Sequence, residues 1–160
     1  MSDLNALHQA ISATVQAAMP QFGTIQYNAA VQPETPLPAL FHSITGLKPG
    51  TDPVDGHSRI VATFEGRIHA GAALEATTLA AQLMVLLRKQ YWDIDFVEEA
   101  RAVLAQPVED GWIVQWEQVL HMGEVQWPWP NQPPGSLVFA FDPDSGPDHE
   151  SAYKKPEDFA

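Results

Sequence analysis

The stretch Asp110-Gly111-Trp112-Ile113-Val114-Gln115-Trp116-Glu117-Gln118-Val119-Leu120-His121-Met122-Gly123 decides the fold. Trp112, Val114, Trp116, Leu120 and Met122 share one parity, while Gln115, Glu117 and His121 fall on the other with Ile113 and Val119. Successive strand side chains point to opposite faces, so this spacing predicts a strand with one nearly continuous apolar face and one mixed face. Asp110-Gly111 suits the turn that leads in, because Gly accepts positive φ and Asp hydrogen-bonds locally. Two buried indoles remove a large area from water, at about 25 cal/mol per Å² of apolar surface. A stacking platform for a sugar or base would instead need exposed aromatics beside polar partners. Core packing is the stronger reading, since helices elsewhere in the chain need an apolar sheet face to cover.

Those helices are legible on either side of the other strands. Leu7, Ile11, Val15, Ala18 and Phe22 follow at three- and four-residue steps, predicting an amphipathic helix over about 3–18, with Ser2 or Asp3 as its cap and Pro20 closing it. Ala76, Leu79, Ala80, Leu83, Leu86 and Leu87 make the stripe of a second helix over about 72–90, with Arg88 and Lys89 suited to its negative end. Alternation predicts strands over about 24–31, 39–47, 58–70 with a bend at Gly66, 111–126 and 136–141. Gln32 to Pro38 carries three prolines and cannot donate a regular ladder, so it reads as a connector. Between Trp92 and Glu109 two readings stand, a short helix around Phe96–Ala100 or an extended segment around Ala102–Ala105, with a break at Pro107 in both. The expected fold is α+β: a single domain over 1–142, with a mostly antiparallel sheet of four to five strands covered by two main helices.

At 160 residues and 45% hydrophobic content the chain suits one ordinary core and is too short for two large domains. It has no cysteine, which excludes disulfide scaffolding, thiolate zinc sites and a cysteine nucleophile. The apolar run Leu79–Leu87 is interrupted by Gln82 and falls well short of a membrane span. Met1–Asn5 lacks a basic signal-peptide start, so a soluble, cytoplasmic protein is expected. The formal charge of −12 repels phosphate backbones and argues against nucleic-acid binding. Residues 142–160 hold six acids against two bases together with three prolines, and are expected to form an acidic, flexible tail from 143 to 160.

Site chemistry has little to stand on. Counted from Asp142, an EF-hand loop would place Gly146, Pro147 and Tyr153 where it needs an oxygen ligand, a glycine and a bidentate glutamate. Six histidines form no H-x-x-x-H pair, although His42, His69 and His121 all fall on predicted strands. His57-Ser58 lacks the glycine frame of a nucleophile elbow, and no Gly-rich phosphate loop occurs. Asp93-Asp95 and Glu98-Glu99 are acid pairs of a kind that 20 acids produce without function. No enzyme activity, metal or cofactor is expected.

The order of elements says more. Leu37-Pro38-Ala39-Leu40-Phe41-His42-Ser43-Ile44-Thr45-Gly46-Leu47, the strand and Ala/Leu-rich helix from Arg59 to Lys89, the segment Asp110 to Gln118, and Phe141-Asp142-Pro143-Asp144-Ser145-Gly146-Pro147 with His149-Glu150 are together similar to one group. The chain resembles the small tail-terminator, or tail-completion, proteins of tailed bacteriophages, in particular tail-associated proteins of Mu-like prophages. The resemblance covers nearly the whole chain and lies in hydrophobic and turn patterns, with no catalytic motif to transfer. It implies an α+β subunit that forms a homo-oligomeric ring, commonly a hexamer, on the head-proximal end of the tail tube. That ring stops tube polymerisation and faces the head connector protein, so the implied location is the virion tail, and the host cytoplasm during assembly.

Two other readings remain beside it, another head–tail joining or minor tail component and a small-molecule-binding domain. Trp127-Pro128-Trp129-Pro130 is the candidate interface of the ring and, with nearby polar groups, the candidate aromatic pocket of the small-molecule reading, since two large aromatics on a φ-restricted backbone lose little entropy on docking. Equally, both Trp127 and Trp129 are suited to folding back over the sheet edge.

Overall fold

A computed structural model describes residues 4–51 and 58–123, and these fall within one compact unit. Two helices, α1 (Leu4–Ala18) and α2 (Ala73–Leu87), accompany five strands, β1 (Thr24–Tyr27), β2 (Ala39–Pro49), β3 (Ser58–His69), β4 (Arg101–Val108) and β5 (Gly111–Met122). The sheet order is β1-β2-β3-β5-β4, antiparallel except for the β1–β2 pair. The α+β fold with a mostly antiparallel sheet and two main helices is therefore as expected. The domain limit near 142, the strand expected over 136–141 and the tail at 143–160 lie outside the described residues.

The parity argument explains which sheet face the helices cover. Val114, Trp116 and Leu120 of β5 lie across from Gly66, Phe64 and Ile60 of β3, and Trp116 stacks on Phe64 with ring centroids 5.3 Å apart. Leu7, Ile11 and Val15 of α1 and Leu79, Leu83 and Leu87 of α2 join them in one core. Gly66 does not interrupt the strand. The register there is continuous, and a Cβ on Gly66 would meet Leu40 Cδ1 at 3.2 Å and the Trp116 ring at 3.5 Å, so the missing side chain makes room for the indole. The irregularity sits instead in β2, between Ile44 and Gly46.

Several boundaries differ from the sequence expectation. β1 stops at Tyr27 instead of running to Val31, because Asn28 takes a left-handed φ of 51° that ends extension. The second helix closes at Leu87, so Arg88 and Lys89 lie beyond its last turn. The undecided stretch resolves as β4, and Pro107 does not break it. Pro107 pairs with Trp112 on the outermost of the described strands, where a missing amide hydrogen costs no ladder bond on the side that no described strand pairs. At the β4–β5 turn Gly111 has φ 145°, and a Cβ there would stand 1.9 Å from the Ile68 carbonyl oxygen, so only glycine closes the hairpin against β3.

Candidate functional site

Three features of the described residues have chemistry beyond core packing. The first is apolar surface left in water. Helix α2 has Glu75, Thr77, Thr78 and Gln82 on its exposed side, yet Leu74, Ala81 and Val85 also face away from the core, with Leu74 79% and Val85 75% exposed. A surface helix ordinarily places polar groups there. On the outermost strand β4, Leu104 is 56% exposed and Val108 is also exposed, beside backbone groups that no other described strand pairs.

The second feature is a groove of about 780 Å³ at the end of the sheet where β3 finishes, α2 begins and β4 turns into β5. Trp112, Pro107 and Val108 form one wall, Ala73 and Ala76 of α2 another, and the exposed Val31 and Leu37 of the proline-rich connector a third. The Trp112 indole N–H is already bonded to Thr77 Oγ1 at 3.1 Å, which pins the ring and leaves its carbon surface to the groove. Glu109 and Asp110 line the turn side and bring the only carboxylates among its described lining residues. Its size matches pockets that take a drug-sized ligand or a few side chains.

The third feature is a cluster under α1 in which His8 and His42 are buried, Ser12 is half-buried and Tyr27 is 44% exposed. His8 and Ser12, one helical turn apart, meet Tyr27 of β1 and His42 of β2: His8 stacks on Tyr27 at 3.5 Å, and Ser12 Oγ is hydrogen-bonded to His42 Nε2 at 2.9 Å. The His8 and His42 rings are 5.6 Å apart, and neither Nδ1 has a hydrogen-bond partner among the described residues. Burial lowers the His8 pKa, and burial with the nearby His8 charge pushes His42 down to about 4, so both are neutral near pH 7. A Ser–His contact alone is not a catalytic site: nothing here orients Nδ1, and His42 is 1% exposed.

The sequence candidates are dispersed. His42 faces the helices, His69 ends β3, and His121 lies on the opposite sheet face bonded to Glu98 at 2.9 Å, so the three strand histidines do not meet. Glu98 also pairs with Arg59 at 3.4 Å, which explains one of the acid pairs as surface bracing. On the same face, which neither described helix covers, Glu65 holds Arg67 at 2.7 Å and Gln115 at 3.1 Å, and Lys48 pairs with Glu117 at 2.7 Å. No group of three or more His, Asp or Glu side chains suited to a metal occurs among the described residues. Trp127 and Trp129 lie outside the described residues, as do His57 and Asp142.

Sequence reasoning missed the groove and the histidine cluster. Exposed Val31 and Leu37 come from the stretch between β1 and β2 and Val108 from the end of β4, and only the fold shows that they line one groove. Ser12 and His42 are 30 positions apart, with no local pattern to link them. No protein-family model matches the chain, and no curated protein matches it.

Proposed function

We propose that this chain is a structural subunit of a tailed-phage assembly: a homo-oligomeric ring, six-fold, that caps the head-proximal end of the tail tube, ends its polymerisation and offers the head-joining surface. The observation that carries the reading is the set of outward apolar residues of α2, Leu74, Ala81 and Val85, on a helix whose other side is core. Exposed aliphatic groups on one helix and on the neighbouring open strand are what a subunit with obligatory neighbours presents. Three of the segments that carry the resemblance, Leu37–Leu47, Arg59–Lys89 and Asp110–Gln118, fall on regular elements: most of β2, the β3–α2 pair, and the turn and first part of β5.

The partners on this reading are other copies of the chain, the tail-tube protein and the head connector protein, and its place is the virion tail. A ring acts through shape and contact, so no residue is given a catalytic role. Removing the gene from a phage that carries it tests the proposal: tails should lengthen beyond their normal limit or fail to join heads, and rings added back should be seen by negative stain on tube ends. Normal tail length and normal joining without the protein would overturn it.

A further inference from the structure

The groove at Trp112 combines an aromatic wall with unbalanced negative charge. We propose that it binds a small organic cation, an ammonium group carried on an aromatic or branched apolar body. Such a site is independent of the ring reading above. Its apolar surface comes from Trp112 of β5, Pro107 and Val108 of β4, Ala73 of α2 and Leu37 of the connector before β2. The Trp112 indole N–H is spent on Thr77 Oγ1 at 3.1 Å, so the ring is held in place and what it offers a ligand is its π surface. Among aromatic side chains an indole face attracts a cation most strongly.

The charge comes from the β4–β5 turn. Glu109 and Asp110 are exposed and form no ion pair with a described residue, and His69 is the only basic side chain among the described lining residues. A Cβ on Gly111 would stand 1.9 Å from the Ile68 carbonyl oxygen, so the backbone that carries both carboxylates lies tight against β3, beside Trp112. The opposing influence is the N-terminus of α2, which opens on the groove at Ala72 and Ala73 with about half a positive charge. Glu75 in the first turn of that helix offsets it, and the two full charges of Glu109 and Asp110 outweigh it. The net charge of −12 adds a long-range attraction for cations. Burial of the apolar body thus supplies adhesion, and the carboxylates select the sign of the head group.

Three probes that share one body and differ in charge test this: phenethylammonium, phenethyl alcohol and phenylpropanoate, titrated at neutral pH into the isotope-labelled full-length chain. Chemical shifts should move at the Trp112 indole N–H and at the Val108 and Gly111 amides, with the ammonium bound about tenfold more tightly than the alcohol and the carboxylate weakest. Added salt should narrow the gap between ammonium and alcohol. E109Q/D110N keeps the turn and the apolar wall, so it should weaken the ammonium about fivefold or more and leave the alcohol unchanged, whereas W112L should weaken both. Equal affinity for ammonium and alcohol, a carboxylate preferred to both, or ammonium binding unchanged in E109Q/D110N overturns the proposal. So does the absence of any shift at those three groups with all three probes, the outcome expected if another part of the chain or a second copy fills the groove. Oligomeric state is measured separately, and each of these failures leaves the ring reading standing.

Discussion

Trp116 donates its indole N–H to Oε1 of Gln118, two residues further along the same strand, at 3.0 Å. Trp92 Nε1 donates to the same oxygen at 2.8 Å, and Gln118 Nε2 donates to the carbonyls of Gln90 at 3.1 Å and Glu98 at 3.0 Å. One amide, 0% exposed, thus satisfies two indoles and ties the chain after α2 to the centre of the sheet. Trp92 holds a left-handed φ of 63°, costly for a bulky residue, and is fastened by its indole bond to Gln118 and its backbone N–H bond to Gln90 Oε1.

Gln118→Leu should therefore destabilise by about 3 kcal/mol or more, although leucine is apolar and similar in length. It leaves two indole donors and the Glu98 carbonyl without these partners, at about 1–3 kcal/mol for each group left unsatisfied, while the Gln90 carbonyl keeps the Ala100 N–H at 2.8 Å. Urea unfolding followed by tryptophan fluorescence measures this, and a loss under about 1 kcal/mol would show that the network relaxes freely.

Trp116→Ala removes the ring stacked on Phe64 and should cost about 3–5 kcal/mol. Gly66→Ala tests the same contact from the other side. The added methyl needs Leu40 to yield by a few tenths of an ångström, so about 1 kcal/mol is expected, well below the cost of the cavity. Thermal unfolding of the two variants should rank them in that order.

Acid should loosen α1. In the unfolded chain His8 and His42 titrate near 6.5, while in the folded chain both are lower, His42 at about 4. Above about pH 6.5 neither state takes up a proton and these groups give no slope. As pH falls from 6.5 the unfolded chain binds protons that the folded chain refuses, so stability drops until about pH 4, where folded His42 also protonates. His42 accounts for at most about 3 kcal/mol of that loss. Comparing wild type with His42→Gln, which keeps a partner for Ser12, isolates this from carboxylate titration. Parallel stability curves for the two would contradict the buried-neutral assignment.

Leu74→Lys with Val85→Lys should leave the melting temperature within a few degrees, because both side chains point into solvent and surface changes fall within about 0.5 kcal/mol. The same pair should abolish self-association, since each places a charge in the apolar contact. Unchanged assembly by sedimentation would remove α2 from the subunit interface.

Much of this architecture was legible because it repeats. Parity along 111–122 and 58–69 and helical spacing in α1 and α2 each carry four or more apolar positions, enough to fix a face. β4 was not legible. Its single apolar alternation is short, Ala102 adopts a positive φ that shifts the register, and Pro107 reads as a break until the strand is known to be an edge. Gln118 sits among apolar neighbours on the tryptophan parity, and its role depends on Trp92, whose approach the sequence does not show. The groove and the histidine cluster are products of long-range pairing, and neither leaves a local pattern.

The central claim is that this protein acts as a closed ring of identical subunits. Multi-angle light scattering of the full chain across protein concentration and salt tests it most directly. Subunits of charge −12 repel one another, and salt screens that repulsion over about 10 Å at 0.1 M, so association should tighten as salt rises. The account predicts one closed species at a fixed multiple of 17.6 kDa, six-fold, that does not grow further with concentration. A mass of 17.6 kDa at every concentration and salt would contradict it.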